Sequence, residues 1–297
     1  MNRMKILSAA AALCFCLLVF FFGCTKNPGE TPPVHDTVTV VKNDTIIKND
    51  TIYGTKPDST VNLTKGLLLY LPFTGNINDS SGNNNPTVAV GSVLTYDAHG
   101  YANSAFGSNG SQKIYVTNNG SIKFDTAWAI SLGFMVNDSR PETYISMVDP
   151  ATGYGPSFNF GNTLATLPYL ACGSGDITLG CNNYGPVNNY NITDSTNFIP
   201  VAGSWYNGIV IYHKGTLQTY INGTLISTKV GAGTQAELCP ASKVIIGAWW
   251  DGGPQGLNGK LDNIRLYNRV LTPHEIAVLS SSYQVTSNSL RPGLRSH

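Results

Sequence analysis

The sequence predicts an all-β protein, a two-sheet antiparallel jelly-roll sandwich with one short C-terminal helix. Three observations carry that prediction. Short apolar runs with a period of two recur between residues 65 and 282, the spacing of half-buried strands. Glycine is abundant, at 31 of 297 residues, and sits among many Asn, Ser and Thr, the residues of tight turns. Only one stretch carries the start signals of a helix.

The strands follow in order. Leu67-Leu68-Leu69-Tyr70-Leu71-Pro72-Phe73 reads as a buried strand with a proline near its end. Lys113-Ile114-Tyr115-Val116-Thr117 alternates, and Ile130 to Val136 alternates with its apolar residues on one face. The run from Trp205 to His213 turns through Lys214-Gly215 into Leu217–Ile221. Asn222-Gly223 is a strong two-residue hairpin signal and leads into Thr224–Ser227. Val244–Gly247 and Leu261–Tyr267 complete the set. Thr272-Pro273-His274-Glu275 then places Thr at an N-cap, Pro at the first helical position and Glu at the third. Ile276 and Leu279 give that helix an apolar side, and His274 in its first turn is read as solvated.

The ends are of another kind. Arg3 and Lys5 precede an apolar run from Ile6 to Phe22, followed by Gly23 and Cys24: a basic region, an apolar region and a small residue, the layout of an export signal. A transmembrane anchor is the alternative. Phe21-Phe22-Gly23-Cys24 resembles a bacterial lipobox, which implies a lipid on Cys24 and residues 1–23 as a cleaved signal peptide. Residues 24–64 are polar, hold four prolines and repeat Lys-Asn-Asp-Thr-Ile at 42–46 and 48–52; they read as an extended stalk, parts of which can form strand by pairing with something else. Residues 283–297 read as a loose tail.

Charge narrows the partners. Lys and Arg number 18 against 17 Asp and Glu, and charged residues are 12% of the chain. Cleavage after residue 23 would remove Arg3 and Lys5 and leave 16 against 17, a net −1. That balance argues against a nucleic-acid partner. Cys172, Cys181 and Cys239 would remain unlipidated. Cys172 and Cys181 either bridge a loop in an oxidising compartment or join Cys239 as buried thiols.

Gly66–Phe73 with Asn76-Ile77-Asn78-Asp79-Ser80-Ser81-Gly82-Asn83, then Trp205–Tyr212 with Tyr220-Ile221-Asn222-Gly223, then Ile246-Gly247-Ala248 and Gly259–Ile276, resemble the opening, central hairpin and closing strand of laminin-G-like, concanavalin-A-like domains. The resemblance spans nearly all of 65–282. It implies the sandwich fold, and a range of functions from lectins to glucanases. It also implies that the first and last strands are neighbours, so that Asp79 and Asn76 meet Asp262 around a structural calcium. The oxygen-rich loop 76–83 has the right donors for that ion. A turn capped by Asp79 and Asn76 is the other reading.

Sugar binding needs aromatic faces beside amides and carboxylates. Trp249-Trp250-Asp251-Gly252-Gly253-Pro254-Gln255 supplies both. So does the Gly-rich, loop-like stretch holding Tyr154, Tyr184, Asn188 and Tyr190. One of Trp249 and Trp250 is expected to pack in the core, as are Trp128 and Trp205. No Glu-x-Asp-x-(x)-Glu run of the superfamily's glucanases occurs, and Glu142, Asp149, Asp176 and Glu237 stand apart. The reading is a non-catalytic binding module, anchored by lipid in the bacterial envelope at the outer membrane. Its partner is a glycan; an adhesion or scaffold module binding a cell-surface protein is the alternative, and a glycoside hydrolase the third.

Overall fold

The computed structural model describes residues 40–42, 45–47, 61–91, 93–155, 157–162, 171–174, 192–231, 233–236 and 238–283. The chain divides into two compact units, Met1–Pro57 and Asp58–His297. In the first unit, β1 (Val40–Lys42) and β2 (Thr45–Ile47) pair antiparallel, with Val41 opposite Ile46. Part of the stalk is therefore strand, but its two short strands pair with each other and not with something else. The expected signal peptide, Cys24 and the stalk apart from residues 40–42, 45–47 and 61–64 lie outside the described residues.

The second unit holds β3 (Leu67–Leu71), β4 (Thr87–Val90), β5 (Val93–Thr95), β6 (Ala105–Asn109), β7 (Lys113–Val116), β8 (Ala127–Val136), β9 (Glu142–Val148), β10 (Phe158–Asn162), β11 (Ala171–Ser174), β12 (Ile192–Ser195), β13 (Trp205–His213), β14 (Thr216–Ile221), β15 (Thr224–Val230), β16 (Lys243–Ile246) and β17 (Asn258–Tyr267), then α1 (Pro273–Ser281). They form two antiparallel sheets. One has seven strands in the order β12-β11-β10-β9-β16-β7-β4; the other has eight, β15-β14-β13-β8-β17-β6-β5, with β3 also on β17. The sandwich of the sequence reading is the fold. The stretch read as loop-like after Tyr154 instead contributes β10 and β11, which extend the smaller sheet.

Alternate strand positions meet between the sheets. Trp128 lies 5.2 Å from Phe158 and stacks on Tyr212 at 5.9 Å, while Phe134 stacks on Tyr144 at 4.7 Å. Ile114, Val116, Val244, Ile246, Leu261 and Leu266 join them in one buried cluster. Trp128 is therefore core, as expected. Trp205 is not: it lies half-buried and stacks on Tyr283 at 6.0 Å.

Turn chemistry sets the register. Asn222 and Gly223 both have positive φ, 49° and 82°, as a type I′ hairpin turn requires, and so do Lys214 and Gly215. The helix begins as its sequence says. Thr272 Oγ1 accepts the Glu275 N–H at 3.2 Å, and Glu275 Oε2 accepts the Thr272 N–H at 2.8 Å. Arg269 donates to both Glu275 oxygens, at 2.8 and 2.7 Å. Ile276 and Leu279 then pack on Leu67, Ala129, Ile209, Ile211 and Tyr267, covering the outer face of the eight-stranded sheet. His274 is exposed.

Tyr283, which the sequence reading put in the tail, is buried and belongs to the domain. Its phenol donates to Asp262 at 3.0 Å, and its ring lies where a Cβ on Gly133 would be, 2.2 Å from the nearest ring atom. Gly133→Ala is therefore expected to cost about 2 kcal/mol by overpacking. In a Tyr283→Ala background most of that cost should vanish, which urea melts of the double-mutant cycle would read.

Candidate functional site on the outer face of the seven-stranded sheet

On β7 and β16 the core takes Ile114, Val116, Val244 and Ile246, so Lys113, Tyr115, Lys243 and Ile245 point to the opposite face. No helix lies on that face among the described residues. Instead the connection between β16 and β17 folds back over it. Ser146 Oγ reaches the carbonyl oxygens of Ala248 at 3.0 Å and Trp249 at 2.7 Å. The Asp251 N–H donates to Pro150 O at 2.9 Å, which joins this loop to the β9–β10 connection carrying Tyr154.

The paired tryptophans part company. Trp249 is buried against Val148, Ile245 and Ala248 and floors the loop. Trp250 is half-buried, and its ring lies over Gly252 and Gly253: a Cβ on Gly252 would come within 2.4 Å of the indole. Only glycine leaves room there. Asp251 is exposed and accepts from Lys113 Nζ at 2.8 Å and from the Tyr115 hydroxyl. Burial works against its charge, but the Lys113 and Tyr115 hydrogen bonds hold its carboxyl below the usual range. Lys113 and Lys243 both stand over the Tyr115 ring, 5.7 and 5.8 Å from its centroid. Tyr154 is 39% exposed, while Gln255 is half-buried and uses its backbone carbonyl to receive the Thr143 N–H at 2.9 Å. The result is an apolar wall edged by ammonium, phenol and carboxylate groups, which suits a polyol ligand with one apolar face.

Of the sequence-predicted binding residues, Trp249, Trp250, Asp251, Gln255 and Tyr154 fall on two adjoining loops. Tyr184, Asn188 and Tyr190 lie outside the described residues. Lys113, Tyr115 and Lys243 were not singled out, although the alternation around Ile114 already put Lys113 and Tyr115 on one face. Cys239 is disulfide-bonded, so the reading with three buried thiols does not hold.

The donors do not fit the calcium that the resemblance implied. Asp79 Oδ1 takes the N–H groups of Tyr70 and Ser81, at 3.0 and 2.9 Å; Oδ2 takes the Asn85 N–H, the Asn85 amide and the Ser81 hydroxyl. Burial raises its pKa, yet the hydrogen bonds from Ser81, Tyr70 and Asn85 outweigh that and lower it. A cation at Asp79 would face five donors. Asn76 is exposed and caps its own turn, accepting the Asn78 N–H at 2.9 Å. Asp262 shares no hydrogen-bond partner with either; Oδ2 accepts from Tyr283 and Asn263, and Oδ1 is buried without a partner. Among the described residues no three His, Cys, Asp or Glu side chains gather.

One acid pair escaped the sequence reading. Glu142 has no exposed surface, and burial, with the charge of Asp138 beside it, pushes its carboxyl up to about 8. Burial opposes ionisation of Asp138 too, but Asn258 and Arg140 hold it low.

A model of the concanavalin A-like lectin/glucanases superfamily, Laminin_G_3, matches residues 108–277. The chain belongs to that family. No curated protein sequence matches it. Among solved structures it is similar to domain 4 of AbnA, an extracellular arabinanase from Geobacillus stearothermophilus, in complex with arabinotriose. Identity there is 17% over 72% of this chain and 98% of that one, with a TM-score of 0.53. It is also similar to the ligand-binding domain of botulinum neurotoxin serotype D in complex with N-acetylneuraminic acid (15%, 74% and 51%, TM-score 0.52). A third is the binding domain of Paraclostridial Mosquitocidal Protein 1 (19%, 75% and 53%, TM-score 0.53). The chain spans about half the length of these last two.

Asp262 yields a pH test. Burial raises its carboxyl to about 6, above the ordinary value of 3.8. The fold therefore holds the proton more tightly than the unfolded chain does. Its stabilising contribution is complete below pH 4 and is lost as pH rises from about 4 to about 6, by about 3 kcal/mol at most. Denaturant melts of wild type and Asp262→Asn should differ in slope across that window and run parallel above it.

Proposed function

We propose that the chain is a non-catalytic binding module, held at the bacterial outer membrane by a lipid on Cys24, whose ligand is a glycan. The observation that carries this reading is the outer face just described, where Trp250 and Asp251, on a loop pinned to the seven-stranded sheet, stand beside Tyr115 of β7. The family and the solved neighbours support it: their names speak of binding domains, arabinotriose and N-acetylneuraminic acid. The acid pair does not argue for hydrolysis, because Glu142 lies wholly beneath the surface, where a glycosidic oxygen cannot reach it. A lipid and a polar stalk would raise the module's effective concentration at its target.

A protein partner is the second reading, favoured by β4. It is the edge of its sheet and exposes Val88 (58%) and Val90 (43%), a surface suited to strand addition.

The full chain in detergent, screened on a broad glycan array, is expected to give a positive signal. Trp250→Ala should weaken that signal by about tenfold, 1.4 kcal/mol. Trp249→Ala should instead lower stability by about 3 kcal/mol, as loss of a buried indole does. Silence of the folded wild type across the array would reject the glycan reading. For the anchor, labelled palmitate should enter the wild type in a bacterial host and not Cys24→Ala.

A further inference from the structure

We propose, resting on the glycan reading, that the ligand is an acidic glycan and that Lys243 holds its carboxylate or sulfate. Tyr115 of β7 stands directly opposite Ile245 of β16. Lys113 lies two residues along one strand from that row, and Lys243 two residues along the other, so they fall on either side of it. Two ammonium groups therefore bracket one phenol ring, 5.7 and 5.8 Å from its centroid.

The two ends of the bracket differ. At one end Asp251 accepts from Lys113 Nζ at 2.8 Å and from the Tyr115 hydroxyl, so that charge is met from within the fold. At the other end Lys243 makes no hydrogen bond or ion pair among the described residues, and its charge reaches Asp251 through space alone. Val148 stands opposite Lys243, and Asp149 follows it in the chain. Asp149 is turned to its own loop, where Oδ1 accepts the Ala151 N–H at 3.0 Å. Lys243 is thus a half-buried cation on an aromatic wall, with no anion in contact.

That imbalance selects among ligands. A sugar laid across Trp250 and Tyr115 also strips water from Lys243. Hydroxyl groups restore part of an ammonium's lost hydration, whereas a carboxylate or sulfate restores it through charge-assisted hydrogen bonds. A neutral glycan leaves a covered charge short of partners, and an unsatisfied group of that kind is how a site rejects the wrong ligand. Lys113 does not serve the same purpose, because an anion placed there would meet Asp251 at close range. The acid group therefore belongs at the Lys243 end, beside the loop on which Tyr154 O accepts the Asp149 N–H at 3.0 Å.

The test applies the full chain in detergent to a broad glycan array. It carries uronate and sialyl oligosaccharides beside their carboxyl methyl esters, and sulfated oligosaccharides beside their desulfated parents. At least one acidic member should bind about tenfold more tightly than its neutral twin, and the pair that shows it tells carboxylate from sulfate. Added salt should narrow the margin. Lys243→Met keeps the apolar stem and should bring the acidic member down to the level of its twin. Lys229→Met removes the same charge from an exposed position on β15 of the other sheet and should leave the margin intact. Equal binding of the twins, signal confined to neutral glycans, or a margin that survives Lys243→Met would overturn the acidic class and leave the glycan reading standing. Silence of the folded wild type across the whole array, neutral members included, rejects both.

Discussion

Everything in this domain depends on the aromatic layer between the two sheets. Trp128, Phe134, Tyr144, Phe158, Phe160 and Tyr212 fill it in near-contact, drawn from β8 and β13 on one side and β9 and β10 on the other. Burying a large side chain is worth about 1.5–3 kcal/mol, and no other contact in the described residues gathers so many in one place. The layer also dictates what remains outside. Each strand that gives one face to it must find another use for the alternate face.

The two sheets solve that problem differently. On the eight-stranded sheet, α1 and Tyr283 close the outer face, and the helix is secured there by a capping box and the paired Arg269 and Glu275. On the seven-stranded sheet, among the described residues, the β16–β17 connection folds back and covers part of the face. Lys113, Tyr115 and Lys243 stay at the surface beside Trp250, so the partial cover gathers ammonium, phenol and indole groups on one face.

Local chemistry was readable in the sequence, and tertiary choice was not. Asn222-Gly223 and Thr272-Pro273-His274-Glu275 act through their own backbone, so the hairpin and the helix follow from a few residues. Trp249 and Trp250 are adjacent and chemically identical; Ser146 and two glycines decide which is floor and which is half-open. An oxygen-rich loop looks the same whether it wraps an ion or caps a turn. At Asp79 the decision lies with N–H groups of Tyr70 and Asn85, brought in by the fold. β9 escaped notice because all its residues are buried and no alternation remains to be seen. Glu142, at its first position, therefore stood as an isolated acid until β8 and β17 brought Asp138 and Asn258 to it.

The two margins of the seven-stranded sheet are unequal. At β12, Asp194 accepts the Thr219 and Ser227 hydroxyls, at 3.0 and 2.7 Å, and so stitches that margin to β14 and β15 of the opposite sheet. Among the described residues no side-chain hydrogen bond of that kind holds β4 to the opposite sheet. The exposed, unstitched β4 margin is therefore the looser of the two, and two copies joined back to back through it would turn both stitched margins outward.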